Sequence, residues 1–97
     1  MTKSQQVIAQ MLDANTEIFK RFREIHDKYA KDSSAYQEEF NQIGEEVMTI
    51  IRKYERILMS RMGSGQYNKY SNQVSEVYWR EIRALFPKID FIGVEIK

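Results

Sequence analysis

Residues 19–40 read FKRFREIHDKYAKDSSAYQEEF, and the middle of this stretch interrupts a helical pattern. The KDSS segment, Lys31 to Ser34, contains three consecutive residues that are good helix N-caps. Ser34 and Gln37 also have the spacing of a capping box, so a new helix is expected to begin near residue 34. Since the turn is short, it predicts two helices that pack antiparallel.

Apolar residues keep heptad spacing on both sides of this turn. The upstream columns contain Ile8, Phe22 and Tyr29, then Met11, Ile18 and Ile25. The downstream columns contain Tyr36, Ile43, Ile50 and Ile57, then Phe40, Val47 and Tyr54. These columns predict one helix over about 4–31 and a second over about 34–62, each about 40 Å long.

Charge also favours the antiparallel arrangement, because the second helix begins acidic and ends basic, and the first carries Asp13 and Glu17 in its first half and most of its basic residues in its second half. Antiparallel packing therefore sets the basic end of one helix beside the acidic end of the other. Counting outward from the turn places Phe22 opposite Gly44. A glycine inside a helix usually allows a bulky neighbour to come close. We therefore predict a contact between Phe22 and Gly44.

Two glycines in MGSGQ, residues 62–66, predict a loop over 63–66, followed by a third helix over about 67–86. Pro87 disfavours helical geometry in the residue before it and so ends this helix. The apolar face of the third helix is centred on Tyr67, Tyr70, Val74, Val77, Tyr78 and Leu85. The fold class is therefore mainly α: one domain over 1–97, with a long-helix hairpin and a third helix forming a three-helix bundle.

The last residues, FPKIDFIGVEIK at 86–97, differ from the helical part. Ile92, Val94 and Ile96 alternate with other residues, which predicts an extended tail over 88–97 with a β-strand from Ile89 to Lys97. A strand needs a neighbour for its backbone groups. Two alternatives stay open: the tail covers the hairpin near its turn, or it pairs with another chain, as in a homodimer.

Residues near the start of the tail are candidates for binding another protein. Trp79 and Phe86 lie on one side of the third helix with Arg83 between them, and tryptophan and arginine are frequent at interaction hot spots. The alternative is that Trp79 packs against the tail and Arg83 covers its ring. The predicted partner-binding residues are Trp79, Arg83, Phe86, Phe91, Ile92, Val94 and Ile96.

Three polar residues fall on apolar seams: Asn15, Glu81 and Arg61. Asn15 either fixes helix register or partner number, or lies at a solvated end of its seam. Glu81 is paired with an arginine such as Arg61, exposed by a rotation of the third helix, or a functional acid. The first two readings of Glu81 have more weight, because structural ion pairs perturb carboxylates as readily as active sites do.

Catalysis and metal binding lack the residues they need. The chain has no cysteine, and its one histidine, His26, has neither a nucleophile nor converging ligands beside it in the pattern. A histidine that packs its ring on the flank of the first helix is the better interpretation. We predict no catalytic residue, no metal site and no cofactor, and therefore a protein that is not an enzyme.

A net charge of +1 gives no strong field to attract nucleic acid or an anionic membrane. The N-terminal residues lack the apolar run of a signal peptide or membrane span, so a cytoplasmic location is expected. The basic residues Arg52, Lys53 and Arg56 support one alternative, a small regulatory protein that binds nucleic acid.

In length and helical hairpin the chain resembles the small secreted proteins of the WXG type, although KDSS replaces their Trp-x-Gly turn. Its size and helical character are also similar to those of bacteriocin immunity proteins, whose bundles end in a variable tail. This likeness is architectural and covers no motif, and function resides in sites and not in the fold alone. The sequence predicts a non-enzymatic interaction module, a homodimeric adaptor or an inhibitor of the immunity type, that uses its C-terminal strand.

Overall fold

The computed structural model describes the backbone of residues 2–61 and 67–93 and the side chains of residues 2–60 and 73–93. Within these ranges the chain forms α1 (Lys3–Ala14), α2 (Thr16–Lys31), α3 (Ser33–Arg61), α4 (Tyr67–Leu85) and a 3₁₀ turn at Ile89–Phe91. The predicted mainly helical, bundle-like fold is confirmed. The predicted loop at 63–66 lies outside the described residues.

The predicted first helix is divided at Asn15, so the expectation of one continuous helix over 4–31 is wrong. Asn15 has φ −132° and ψ 39°, outside helical geometry. Its Nδ2 donates to the carbonyl oxygen of Met11 at 2.9 Å, and its own carbonyl accepts the amide of Phe19 at 3.1 Å. Asparagine competes with the helix for backbone partners in this way, and here it ends α1 and begins α2.

The hairpin of α2 and α3 is held by aromatic rings that cross between the helices. Tyr29 stacks on Phe40 with ring centroids 4.1 Å apart, and Phe22 also stacks on Phe40, at 5.6 Å. Asp32 separates the helices, and its Oδ1 accepts the amide of Ala35 at 3.3 Å. The predicted short capped turn is therefore present, but the cap is Asp32 and not the predicted box of Ser34 with Gln37, because Ser34 lies inside α3 and the Gln37 side chain bonds elsewhere.

Helix α4 packs against α1 and α3. Tyr78, Ile82 and Phe86 follow one another at helical spacing and are all buried. The buried face is thus centred on Ile82, whereas the sequence pattern placed Glu81 near its middle. Glu81 is half-buried, so it lies neither at the centre of the buried face nor in the exposed position that the rotation alternative expected.

Tyr78 connects α4 to the centre of the hairpin. Its hydroxyl donates to the carbonyl oxygen of Ile51 at 2.7 Å and lies 3.8 Å from the sulfur of Met11. Burial raises the pKa of this phenol well above its ordinary value of 10.0, and the nearby Glu55 carboxylate raises the pKa further. The phenol therefore stays protonated in the folded chain at pH values at which an unfolded tyrosine ionises.

We expect Tyr78→Phe to lower the free energy of unfolding by about 1 kcal/mol at neutral pH, because the hydrogen bond to Ile51 is lost. A raised pKa in the folded state gives stability that is complete below pH 10 and is lost as the pH rises above it. The parent should therefore lose more stability than the variant between pH 8 and about pH 11. Urea unfolding at both pH values measures this, and equal losses would contradict it.

Candidate functional site

Residues 87–93, which we call the C-terminal turn, follow α4 directly. The amides of Ile89, Phe91 and Ile92 donate to carbonyl oxygens three residues earlier, at 3.0, 3.0 and 3.2 Å. Gly93 has φ 90°, a conformation that side chains disfavour. The predicted strand is therefore wrong for residues 89–93, because these amides bond locally. Val94 and Ile96, in the rest of the predicted strand, lie outside the described residues.

Three side chains of the hairpin hold the C-terminal turn. Nε2 of His26 accepts the amide of Lys88 at 3.1 Å, and Oδ1 of Asn41 accepts the amide of Gly93 at 2.7 Å. Nε2 of Gln37 donates to the carbonyl oxygen of Phe91 at 3.1 Å. Together with the local bonds, these contacts occupy most of the backbone amides between Lys88 and Gly93. A second chain would therefore find few free donors for a β-ladder in this segment.

His26 is buried, with rings of Phe22, Phe40 and Phe86 around it at centroid distances of 6.0, 6.2 and 5.6 Å. Because Nε2 accepts a backbone amide, it carries no proton, and the ring proton belongs on Nδ1. Nδ1 lies 3.3 Å from Oδ1 of Asp27, which can accept that proton in a hydrogen bond. The predicted ring packing is present, and the histidine is in addition an acceptor for the turn.

Gln37 links the C-terminal turn to the aromatic stack. It is buried, and its Oε1 accepts the hydroxyl of Tyr29 at 2.8 Å. Its Nε2 donates both to Oδ1 of Asn41 at 2.7 Å and to the carbonyl oxygen of Phe91. All the polar atoms of this buried amide therefore have partners, as burial requires. The position of the turn is thereby coupled to the hairpin.

Gly44 allows the C-terminal turn to lie directly on α3. A Cβ at Gly44 would be 2.7 Å from Cγ1 and 2.7 Å from Cγ2 of Ile92, closer than carbon atoms pack. The sequence correctly predicted a close neighbour for this glycine, but the closest side chain is that of Ile92 and not that of Phe22. Phe22 instead packs against Phe40 and Phe86.

The outward face of the C-terminal turn is apolar at its centre and charged around it. Phe91 is 46% exposed, and among the described side chains it is the one large apolar group that is exposed. Nζ of Lys88 lies 5.6 Å from the centre of its ring. Nε of Arg83 donates to Oδ2 of Asp90 at 2.8 Å, and both groups are exposed. Arg83 therefore pairs with the turn and does not cover Trp79.

Three of the other predicted partner-binding residues, Trp79, Phe86 and Ile92, are buried or half-buried within the chain. Phe86 is 2% exposed, lies 4.8 Å from the ring of Phe22 and is covered by the guanidinium of Arg23 at 4.3 Å. Ile92 is half-buried against Gly44. Trp79 is half-buried, and it does not contact Phe86 through any described ring interaction. Phe86 is thus a core residue, and its prediction as a contact residue is corrected.

Glu55 forms polar contacts between α3 and α4 that the sequence pattern did not predict. Its Oε2 accepts the hydroxyl of Ser75 at 2.6 Å and the indole N–H of Trp79 at 2.8 Å. Glu55 is about one helical turn from each of Ile51 and Leu58, which are buried, and this spacing was the signal in the sequence that Glu55 faces another helix. Glu81 was also predicted to pair with Arg61, whose side chain lies outside the described residues. Among the described side chains Glu81 forms no ion pair.

The described residues contain no cluster of three potential metal ligands, and no described helix is long and apolar enough to cross a membrane. An open groove of about 410 Å³ lies between α2 and α3, lined by Arg21, Glu24, Ile25, Glu39, Gln42, Ile43 and Glu46. These residues offer charge and apolar surface but no nucleophile. No protein-family model, curated protein or solved structure matches the chain.

Exchanging Gly44 for alanine tests the contact with Ile92. In the parent, Gly44→Ala should lower the free energy of unfolding by about 1 kcal/mol, because the overpacking exceeds the gain in helix propensity. In an Ile92→Ala background the clash is absent, so the same change should stabilise the chain by up to about 1 kcal/mol. Urea unfolding of the four chains measures both effects. The same sign and size in the two backgrounds would contradict the contact.

His26→Phe tests the acceptor for Lys88 while it keeps an aromatic ring in the core. We expect the free energy of unfolding to fall by about 1–3 kcal/mol, because the Lys88 amide loses its partner. Hydrogen exchange should show faster exchange at Lys88 and Gly93 than in the parent. Asp27→Asn is the control, because it changes only the exposed partner of Nδ1 and should leave both amides protected. Unchanged exchange in His26→Phe would refute the role of Nε2.

Proposed function

We propose that the chain is a non-enzymatic protein-interaction module that binds another protein through the outward face of the C-terminal turn, with Phe91 as the central contact. The observation that carries this proposal is the exposure of Phe91, at 46%, on a turn whose backbone is bonded to three side chains of the hairpin. An aromatic side chain is a frequent hot spot, and a fixed backbone lowers the entropy lost on binding.

The surroundings of Phe91 support a protein partner. Interfaces commonly have an apolar centre and a polar rim, and here Lys88 lies beside the ring while Arg83 and Asp90 form an exposed pair on the same turn and helix. These groups carry both signs of charge. A partner surface with an apolar pocket and a mixed polar rim fits them better than a phosphate backbone, which would need cations alone.

This proposal changes the predicted use of the tail. Ile92 and Phe86 position the C-terminal turn from the inside, while Phe91 and Arg83 are presented to a partner. We keep the proposal of contact by the tail and assign it to a side-chain surface and not to a strand ladder in residues 88–93.

The second candidate is binding of nucleic acid by Arg52, Lys53 and Arg56. All three are exposed, and within the described side chains none of them forms an ion pair. Such cations are available to phosphate groups. The net charge of +1 offers little additional attraction. The protein-binding proposal therefore has the stronger support.

Phe91→Ala is the variant that tests the proposed function. The immobilised full-length parent should enrich a protein from native lysate, and the variant should retain about one tenth of it or less, as expected for a hot spot. Because Phe91 is exposed, the variant should unfold at the same urea concentration as the parent. Captured protein is quantified by mass spectrometry.

Arg52→Ala, at an exposed position of α3, is the matched control and should capture as much protein as the parent. Equal capture by the parent and Phe91→Ala would contradict the role of Phe91. Capture of nucleic acid by the parent that is reduced in Arg52→Ala would instead support the second candidate.

A further inference from the structure

The hairpin has a second apolar side that the described side chains of α4 do not cover. Helix α4 bonds to α3 at Glu55, and residue 50 is about 140° away from residue 55 around a helix of 3.6 residues per turn. Ile50 therefore lies on a different side of α3 from α4. Ile25 of α2 and Ile43 of α3 both line the open groove between these helices, so both helices contribute to this apolar side.

Isoleucines follow this side at seven-residue spacing on both helices. We call the set the isoleucine seam, and it comprises Ile18 and Ile25 on α2 and Ile43, Ile50 and Ile57 on α3. Ile43 is 8% exposed and the other four are half-buried. Seven-residue spacing of apolar side chains is typical of helices that pack against other helices. The seam is thus an apolar surface that the described part of the chain covers only in part.

The charges beside the isoleucine seam indicate what covers it. Glu39, Glu46 and Lys53 are exposed and follow the seam along α3, again at seven-residue spacing. The order along the helix is therefore acid, acid, base. Two copies of α3 side by side in parallel would place Glu46 against Glu46. An antiparallel pair centred on Ile50 places Glu46 of each copy near Lys53 of the other, which is favourable.

We propose that the isoleucine seam binds a second copy of this chain about a two-fold axis through Ile50, with the two α3 helices antiparallel. Ile50 then meets Ile50 of the second copy, and Ile43 meets Ile57. A two-fold interface requires such a self-complementary surface. This dimer goes beyond the proposed function, and it uses the opposite side of α3 from the residues that hold the C-terminal turn.

Charge exchange at exposed positions tests the proposal with little risk to folding. Sedimentation from micromolar to millimolar concentration should give a parent mass that reaches twice that of one chain. Glu46→Lys should raise the dissociation constant about tenfold, because two attractive pairs become repulsive by symmetry. Lys53→Glu should have a similar effect. The double variant Glu46→Lys with Lys53→Glu should restore the parent affinity.

Two further chains separate this dimer from other assemblies. Ile50→Glu should sediment as a monomer, since two like charges would meet at the axis, whereas Phe91→Ala should dimerise as the parent does. A parent that stays monomeric at every concentration would overturn the proposal. So would a dimer that persists in Ile50→Glu and is lost in Phe91→Ala, because that result assigns dimerisation to the C-terminal turn.

Discussion

The backbone amides that follow Pro87 need acceptors, and the structure depends on how they obtain them. A proline ends α4, so the chain leaves the helix with donors that no helix partner can satisfy. Local 3₁₀ bonds take three of these amides, and His26 and Asn41 take those of Lys88 and Gly93. Side chains of α2 and α3 thus accept amides for which a neighbouring strand was expected to provide the acceptors.

This arrangement explains several features of the core at once. The ring of His26 lies among Phe22, Phe40 and Phe86, and in this position its Nε2 reaches the amide of Lys88. Gly44 must lack a side chain so that Ile92 can lie on α3. With Ile89 and Ile92 packed inward, Phe91 faces outward. The same contacts that complete the core therefore create the surface that we propose as the binding site.

Local patterns in the sequence predict the helical part well and the C-terminal turn poorly. The heptad columns and the KDSS segment place α3 close to its observed position, and the glycines of MGSGQ with Pro87 do the same for α4, because amphipathic spacing, capping and helix breaking are local effects. The break at Asn15 was missed because a single asparagine in an apolar column is also compatible with a continuous helix. The rotation of α4 that buries Ile82 depends on packing with α1 and α3.

The turn was read as a strand because alternating apolar residues predict extended structure whenever no acceptor is visible nearby. Its actual acceptors are 62 and 52 residues away in sequence. Of the predicted contact residues, Arg83 and Phe91 are on the outward face, while Phe86 belongs to the core. Gly44 was the one local signal of a close tertiary contact, and only the folded structure identifies Ile92 as its neighbour.

The central claim is that Nε2 of His26 accepts the amide of Lys88, and NMR can observe this bond directly. In the ¹⁵N-labelled full-length chain, an experiment that detects scalar coupling across N–H···N hydrogen bonds should connect the Lys88 amide to Nε2 of His26. The same sample should show the imidazole proton on Nδ1. A proton on Nε2, no coupling to Lys88 and rapid exchange of the Lys88 amide would contradict the account.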